Sequence, residues 1–203
     1  MIGTFYKNFE PQRVRQRLAS LGDDPIVAHD RLTVDLSMEL IPAAVLIPLT
    51  EIDGRMNAVF TQRPESMAEH SGEVSFPGGR AEKHDIGLRE TALRETREEI
   101  ALLEQDVHLY GALVQMPTIT GYDVMTYVGE FEQPYQLRPD PREIDVLFTA
   151  PLDALADPGI HRMEKRSWGG MSFDLHFYEY GSFTIWGATG YMLHLLLEFL
   201  GEQ

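Results

Sequence analysis

The sequence predicts an α/β fold, a mixed sheet packed between helices, from three observations. Short β-branched and aromatic runs recur along the chain, an amphipathic acidic stretch interrupts them around Glu95, and a helically spaced apolar pattern closes the chain. No internal repeat or low-complexity tract competes with that reading. A length of 203 residues suits one domain with a proper core. The organisation expected is a single domain over 1–203, with an N-terminal helical appendage over 1–37 and a core over about 40–200.

Pro11 to Leu21 reads as a short basic helix that stops at Gly22, before an Asp-Asp-Pro break. The run LIPAAVLIP, Leu40 to Pro48, suits a buried strand, and Asn57 to Gln62 suits a second, with Asp53-Gly54 as the hairpin turn. Ser75 to Gly79 is expected as a loop because a proline and two glycines oppose regular structure. A helix should follow from about Asp85 to Ala101. Val107 to Met116 and Val124 to Phe131 have strand-like content and flank a loop at 117–122. The segment PDPRE, 139–143, is a further loop before a short apolar run to Leu147. Met171 to Tyr180 alternates as a strand, and Gly187 to Leu200 carries Tyr191, Leu195, Leu196 and Phe199 at helical spacing.

Composition removes several function classes. With 32 acidic and 17 basic residues the formal charge is -15, which repels a nucleic-acid backbone, so no nucleic-acid partner is expected. No cysteine is present, which excludes disulfides, thiolate catalysis and Cys-ligated zinc. The first residues turn charged before any apolar stretch develops, so a cytoplasmic location is expected. The longest apolar segment, Met192 to Leu200, is broken by His194 and Glu198 and is too short to span a membrane. Neither a G-x-x-x-x-G-K-[ST] nor an H-E-x-x-H pattern occurs. His70 and His84 read as structural or exposed, the nine Met residues as core filling, and Phe183 and Trp186 as packing under the last helix.

The chemistry concentrates in Leu93-Arg94-Glu95-Thr96-Arg97-Glu98-Glu99-Ile100. At about 100° per residue, Glu95, Glu98 and Glu99 share roughly a 100° arc of the helix surface. Ile86, Ala92, Leu93, Thr96 and Ile100 fall on the other side, where they could anchor the helix to a sheet. Like charges at this spacing cost a helix a few tenths of a kcal/mol per pair. An acidic face alone is most often simply solvated, but Gly78-Gly79 just upstream lets the backbone approach a ligand and offer a carbonyl to a cation. A hard ion such as Mg²⁺, bound by carboxylate and water oxygens, would reverse the repulsion and leave positions open for phosphate.

The stretch Phe76-Pro77-Gly78-Gly79, then Asp85, then Arg94 to Leu102, resembles the Nudix box. Asp85 stands where the first Glu of that box belongs, one extra residue separates it from Arg94, Thr96 replaces an apolar residue, and Ala101 replaces Gly. These departures look like the coenzyme A pyrophosphatase branch of the family. Its upstream signature is similar to Val59 to Arg63, Gly72 and Phe76 to Gly79, with Pro64 in place of Ser/Ala and Ala68 in place of a second Arg. Ile185 to Gly190 is similar to the end of the same branch.

The resemblance implies a Nudix-type α/β/α sandwich. It implies metal ligation by Glu95, Glu98 and Glu99 with the Gly79 carbonyl, a catalytic centre of Glu98, Glu99 and Arg94, and Arg94 orienting a glutamate. Glu98 or Glu99 would be the general base, and Glu143 is a candidate extra ligand or base. Arg63, Gly72, Phe76, Gly78 and Arg80 would bind substrate. The implied cofactor is Mg²⁺, with Mn²⁺ as a substitute, and the implied substrate is coenzyme A or an acyl-CoA, split into 3',5'-ADP and phosphopantetheine. ADP-ribose, NADH or another nucleoside diphosphate derivative is the alternative substrate, and a non-hydrolytic nucleotide-binding module the alternative class. The N-terminal helix is a candidate homodimer contact.

Overall fold

A computed structural model describes residues 9–28, 39–65, 71–168 and 171–201. Helix α1, Pro11–Leu18, precedes the short strand β1, Val27–Ala28, and the long central strand β2, Ile41–Ile52. Strand β3, Arg55–Gln62, returns through Asp53 and Gly54, both at positive φ (50° and 73°), the backbone a two-residue hairpin turn requires. Then follow β4, Val74–Ser75; β5, Gly78–Arg80; helix α2, Leu88–Ile100; β6, Val107–Pro117; and β7, Tyr122–Phe131. Strand β8, Val146–Pro151, one helical turn α3, Leu152–Leu155, strands β9, His161–Trp168, β10, Met171–Tyr180, and β11, Phe183–Ile185, and helix α4, Gly187–Gly201, complete the chain.

Eight strands form one mixed sheet in the order β1-β6-β7-β2-β3-β4, with β5 on β2 and β8 on β3. The β1–β6 and β2–β7 pairs are parallel and the rest antiparallel. A second, antiparallel sheet has the order β11-β10-β9. Helices cover both faces of the large sheet, which explains the unbroken apolar run of β2. Ala44 and Leu46 join Ala92 and Leu93 of α2 on one side, while Ala43, Ile47 and Leu49 join Val14 and Leu18 of α1 and Leu193 and Leu196 of α4 on the other. The expected α/β sandwich is the observed one. Among the described residues no helix is long and apolar enough to cross a membrane.

Four elements differ from expectation. The described part of the N-terminal segment is docked rather than appended. Val14 and Leu18 are fully buried, Arg15 bridges Glu51 and Glu130 at 2.8 and 2.6 Å, and Ala112 N donates to Gly22 O at 2.8 Å. Residues 29–38 of that segment lie outside the described residues. Gly78-Gly79, expected in a loop, is strand β5, paired with Val45 and Ala44 of β2. A Cβ at Gly78 would sit 2.4 Å from Ala44 O, so the glycine permits the close pairing it was expected to prevent. Ile86, assigned to the anchoring face of α2, is instead 96% exposed, because Gly87 caps the helix and the Ile86 N–H is held by the Glu90 carboxylate at 2.6 Å. Strand β9 was not anticipated. Its sequence, HRMEKRSW, lacks clean alternation, and pairing with β10 along its length supplies what the pattern does not.

An aromatic column crosses from the segment before β5 to β11. Phe76 stacks on Phe60 at 4.8 Å, Phe60 on Phe148 at 5.3 Å, and Phe148 on Phe183 at 3.9 Å. Trp186 is partly exposed and lies parallel to Phe177 at 6.0 Å.

Candidate active site

Helix α2 is fixed from both ends. Its apolar face is buried on the sheet through Ala92, Leu93 and Ile100, which turns the acidic face toward β5 and the 138–143 loop. At the C-terminal end Arg138 N donates to Ile100 O at 2.9 Å and Asp140 N to Glu99 O at 2.8 Å. That loop therefore satisfies carbonyls the helix leaves open and carries Glu143 to the acidic face. Glu143 is exposed, and its charge acts on both Glu95 and Glu99.

Arg94 is the hub. Its side chain is 8% exposed, and all five N–H groups have a partner position. Nε and Nη2 grip the two Asp85 oxygens at 2.9 and 3.0 Å, Nη2 also meets Arg80 O at 3.0 Å, and Nη1 reaches Glu95 Oε1 at 2.8 Å and Glu98 Oε2 at 3.2 Å. Asp85 further accepts from the Thr91 hydroxyl and the Glu82 N–H, at 2.8 and 2.9 Å. The Arg94 guanidinium holds the Asp85 carboxyl far below the usual carboxylate range. Arg94 thus sets the orientation of two of the three glutamates and ties them to β5.

The glutamates occupy different environments. Glu95 lies against Gly79 so closely that a Cβ there would come within 2.6 Å of its Cδ. Burial raises its proton affinity against the opposing pull of Arg94. Glu98, 52% exposed, lies between Arg94 and Arg97. Glu99 is only 3% exposed, accepts one long bond from Gly78 N at 3.2 Å, and sits 4.0 Å from Arg63 Nη2. Burial, opposed by Arg63 and the Gly78 N–H, pushes its pKa up to about 8.

The structure brings Glu95, Glu98, Glu99, Arg94, Gly78, Gly79 and Arg63 to one region, with the Arg80 carbonyl bonded to Arg94 and the Arg80 side chain exposed beside it. It does not bring the three carboxylates to a point. Glu95 and Glu98 share Arg94 Nη1, while Glu99 is turned to Gly78 N and Arg63. Phe76, expected to bind substrate, is 3% exposed and stacked in the core, where it anchors the segment entering β5 rather than facing a ligand. Gly72, at φ +67°, lies in the turn that leads into β4, and its carbonyl accepts from Gln62 Nε2 at 3.0 Å. His84 is exposed beside Glu82 and Asp85, while Ala68 and His70 lie outside the described residues.

Sequence reasoning missed the grip of Asp85 on Arg94. Asp85 was read as occupying a box position, without a partner. The signal was available in Asp85, Thr91 and Arg94, whose side chains converge once the chain turns at Gly87.

The fit to a divalent cation rests on Glu99. A buried carboxylate with one long N–H bond and a guanidinium at 4.0 Å is under-compensated, and two further carboxylates, Glu95 and Glu143, are near enough for their charges to act on it. Comparison with known proteins bears on the family. The NUDIX domain pattern matches residues 40–174. The chain is 33% identical over 157 residues to the Nudix hydrolase NudL of Photorhabdus laumondii, covering 77% of this chain and 83% of that one. It is 34% identical to the human mitochondrial coenzyme A diphosphatase NUDT8, over 78% of this chain and 69% of that one. It is 30% identical to the mouse peroxisomal coenzyme A diphosphatase NUDT7, over 79% and 70%. A MutT/nudix family protein from Enterococcus faecalis shares the fold, with a TM-score of 0.52 at 12% identity over 77% of this chain and 60% of that one. By motif, fold and relatives, the chain is a member of the Nudix hydrolase family.

Proposed function

We propose that this Nudix hydrolase cleaves the diphosphate bond of coenzyme A or an acyl-CoA to give 3',5'-ADP and (acyl-)4'-phosphopantetheine. The observation that carries the hydrolytic reading is the buried, under-compensated Glu99 beside Glu95, Glu98 and the two glycines of β5. The coenzyme A assignment draws support from the Arg63, Gly72 and Phe76 to Gly79 spacing and from the two diphosphatase relatives.

Glu95, Glu98, Glu99 and the Gly79 carbonyl would hold Mg²⁺ or Mn²⁺. When bound, such an ion neutralises diphosphate charge and acidifies a coordinated water. Arg94 hydrogen-bonds to Glu95 and Glu98 and so orients both carboxylates before substrate arrives. A water oxygen bonds to one phosphorus as the bridging P–O bond breaks, and the electron pair leaves on the departing phosphate. The water proton passes to a carboxylate. Glu98, half exposed, has the access this needs, and Glu99 is the other candidate. Arg63 and Arg80 flank the site as cations for substrate phosphates, and Glu143 supplies a further carboxylate at its edge.

The test is turnover with coenzyme A, acetyl-CoA, ADP-ribose and NADH in Mg²⁺, with products identified by mass. Release of 3',5'-ADP at the highest kcat/KM is expected, with Glu98→Gln and Glu99→Gln each lowering turnover at least a hundredfold. Pro64 and Ala68 depart from the coenzyme A signature, so the same assay weighs ADP-ribose and NADH directly. Preference for either would replace the substrate while keeping the chemistry. Tight binding without turnover on any compound would refute hydrolysis.

A further inference from the structure

Among the described residues, His161, His176 and His194 form the one set of three metal-binding side chains whose donor atoms all lie within 4.8 Å of one another. They come from β9, β10 and α4. His161 pairs with Tyr178 in the β9–β10 ladder, which puts it diagonal to His176 on one face of that sheet. Helix α4 brings His194 to the same face because Gly190, one turn earlier, has no side chain. A Cβ there would sit 2.4 Å from His176 O. His176 is 4% exposed and the other two are half-buried.

Three imidazoles in one buried place have few alternatives to a cation. His161 Nε2 and His176 Nδ1 share one proton at 3.0 Å, and the His176 and His194 rings stack at 3.8 Å with an interplanar angle of 18°. Burial lowers the proton affinity of all three, with the proximity of His194 adding to the effect on the other two and Glu198 opposing it at His194. Neutral imidazole is the form that ligates. Glu198 Oε1 lies 3.4 Å from His194 Nε2, the arrangement that places the proton on Nε2 and leaves the Nδ1 lone pair inward, next to the Tyr178 hydroxyl at 3.3 Å.

We propose that His161, His176 and His194 bind a divalent transition-metal ion of the zinc class, separate from the carboxylate cluster, which clips the β9–β10 hairpin to α4. The donor chemistry selects the ion. Three imidazole nitrogens suit Zn²⁺, Co²⁺, Ni²⁺ or Cu²⁺ and disfavour Mg²⁺, which takes oxygen ligands. Bonds of about 2.0 Å in tetrahedral geometry need donor atoms about 3.3 Å apart. His161 Nε2 and His176 Nδ1 already stand at 3.0 Å, so loading has only to close the widest separation, by up to about 1.5 Å, and turn a ring out of the stack. The Tyr178 hydroxyl or a water would complete the shell.

The experiment uses the full chain without a histidine tag, in excess Mg²⁺ to occupy the carboxylate site, titrated with Co²⁺. Expected are one tight equivalent with visible d–d absorption, displacement by Zn²⁺, persistence in the Glu98→Gln variant, and at least hundredfold weaker binding in His161→Gln and His194→Gln. X-ray absorption of the wild-type chain loaded with one equivalent of Zn²⁺ should count three imidazole ligands, a readout that does not depend on the variants folding. An all-oxygen shell, binding that survives both histidine substitutions, or no tight equivalent would overturn the proposal.

Discussion

Replacing Gly79 with alanine should separate catalysis from folding. The new Cβ would lie 2.6, 2.7 and 2.8 Å from the Glu95 Cδ, Oε1 and Oε2 atoms. Ordinary contact begins near 3.5 Å, so the carboxylate must retreat by about 1 Å. Gly79 is not at positive φ, and what it meets is the far end of a flexible side chain. The stability cost should therefore stay within about 1 kcal/mol. A metal-binding group displaced by about 1 Å costs on the order of a hundredfold in rate, about 2.7 kcal/mol of transition-state stabilisation.

Gly78→Ala is the control. Its Cβ would meet backbone, Ala44 O at 2.4 Å and Val45 Cα at 2.6 Å, from a φ of +157°. Neither neighbour can yield without parting β5 from β2, so a loss of about 3 kcal/mol, or roughly 6–12 °C in Tm, is expected. The assays are Mg²⁺-dependent kcat/KM on coenzyme A and thermal unfolding. Wild-type kcat/KM in Gly79→Ala, or a Tm loss matching that of Gly78→Ala, would refute the reasoning.

Ala101 closes α2 in the left-handed region at φ 57°, so Ala101→Gly should relieve about 1 kcal/mol of strain and raise Tm by about 2–4 °C, measured by calorimetry. Asp85→Asn leaves Arg94 without its charged partner and should cost about 3 kcal/mol at neutral pH. Because the folded-state pKa of Asp85 is depressed, its contribution is complete above the unfolded value of about 4 and is lost as pH falls through the folded one. Acid unfolding curves of wild type and Asp85→Asn should therefore begin to converge below about pH 4 and meet only below the depressed folded-state pKa, and parallel curves would count against the pair. The Thr126 hydroxyl is buried with no hydrogen-bond partner among the described residues, so the isosteric Thr126→Val should match or exceed wild-type stability by up to about 1 kcal/mol in urea unfolding.

What the sequence made legible was whatever is local. The β2 run, the Asp53-Gly54 turn and the acidic face of α2 depend on neighbours a few residues apart, and periodicity reports these. Gly78-Gly79 was misread because glycine signals both a turn and a close backbone approach, and only the position of β2 decides between them. Phe76 was placed in the site by its position in a signature, yet its partner in the core, Phe60, is sixteen residues away in sequence and 4.8 Å away in space. The histidine trio was invisible for the same reason. No short spacing joins 161, 176 and 194, and the strand register and the Gly190 contact create their proximity.

The departures from the Nudix box carry a physical logic that the sequence alone did not reveal. Asp85 is one methylene shorter than the glutamate the box has there, and one residue further from Arg94. The extra residue falls between Asp85 and Arg94, a stretch that opens with the non-helical Ile86 and Gly87 before α2 begins at Leu88. Any insertion before Arg94 leaves the spacing of Arg94, Glu95, Glu98 and Glu99 on α2 untouched. The shorter acid still receives the fork of Arg94 at 2.9 and 3.0 Å because the turn, rather than side-chain length, closes the distance. Backbone has been exchanged for side chain at this position, while the guanidinium remains directed at Glu95 and Glu98. An Asp85→Glu substitution would restore the letter of the box and overfill a site whose carboxylate is already 1% exposed.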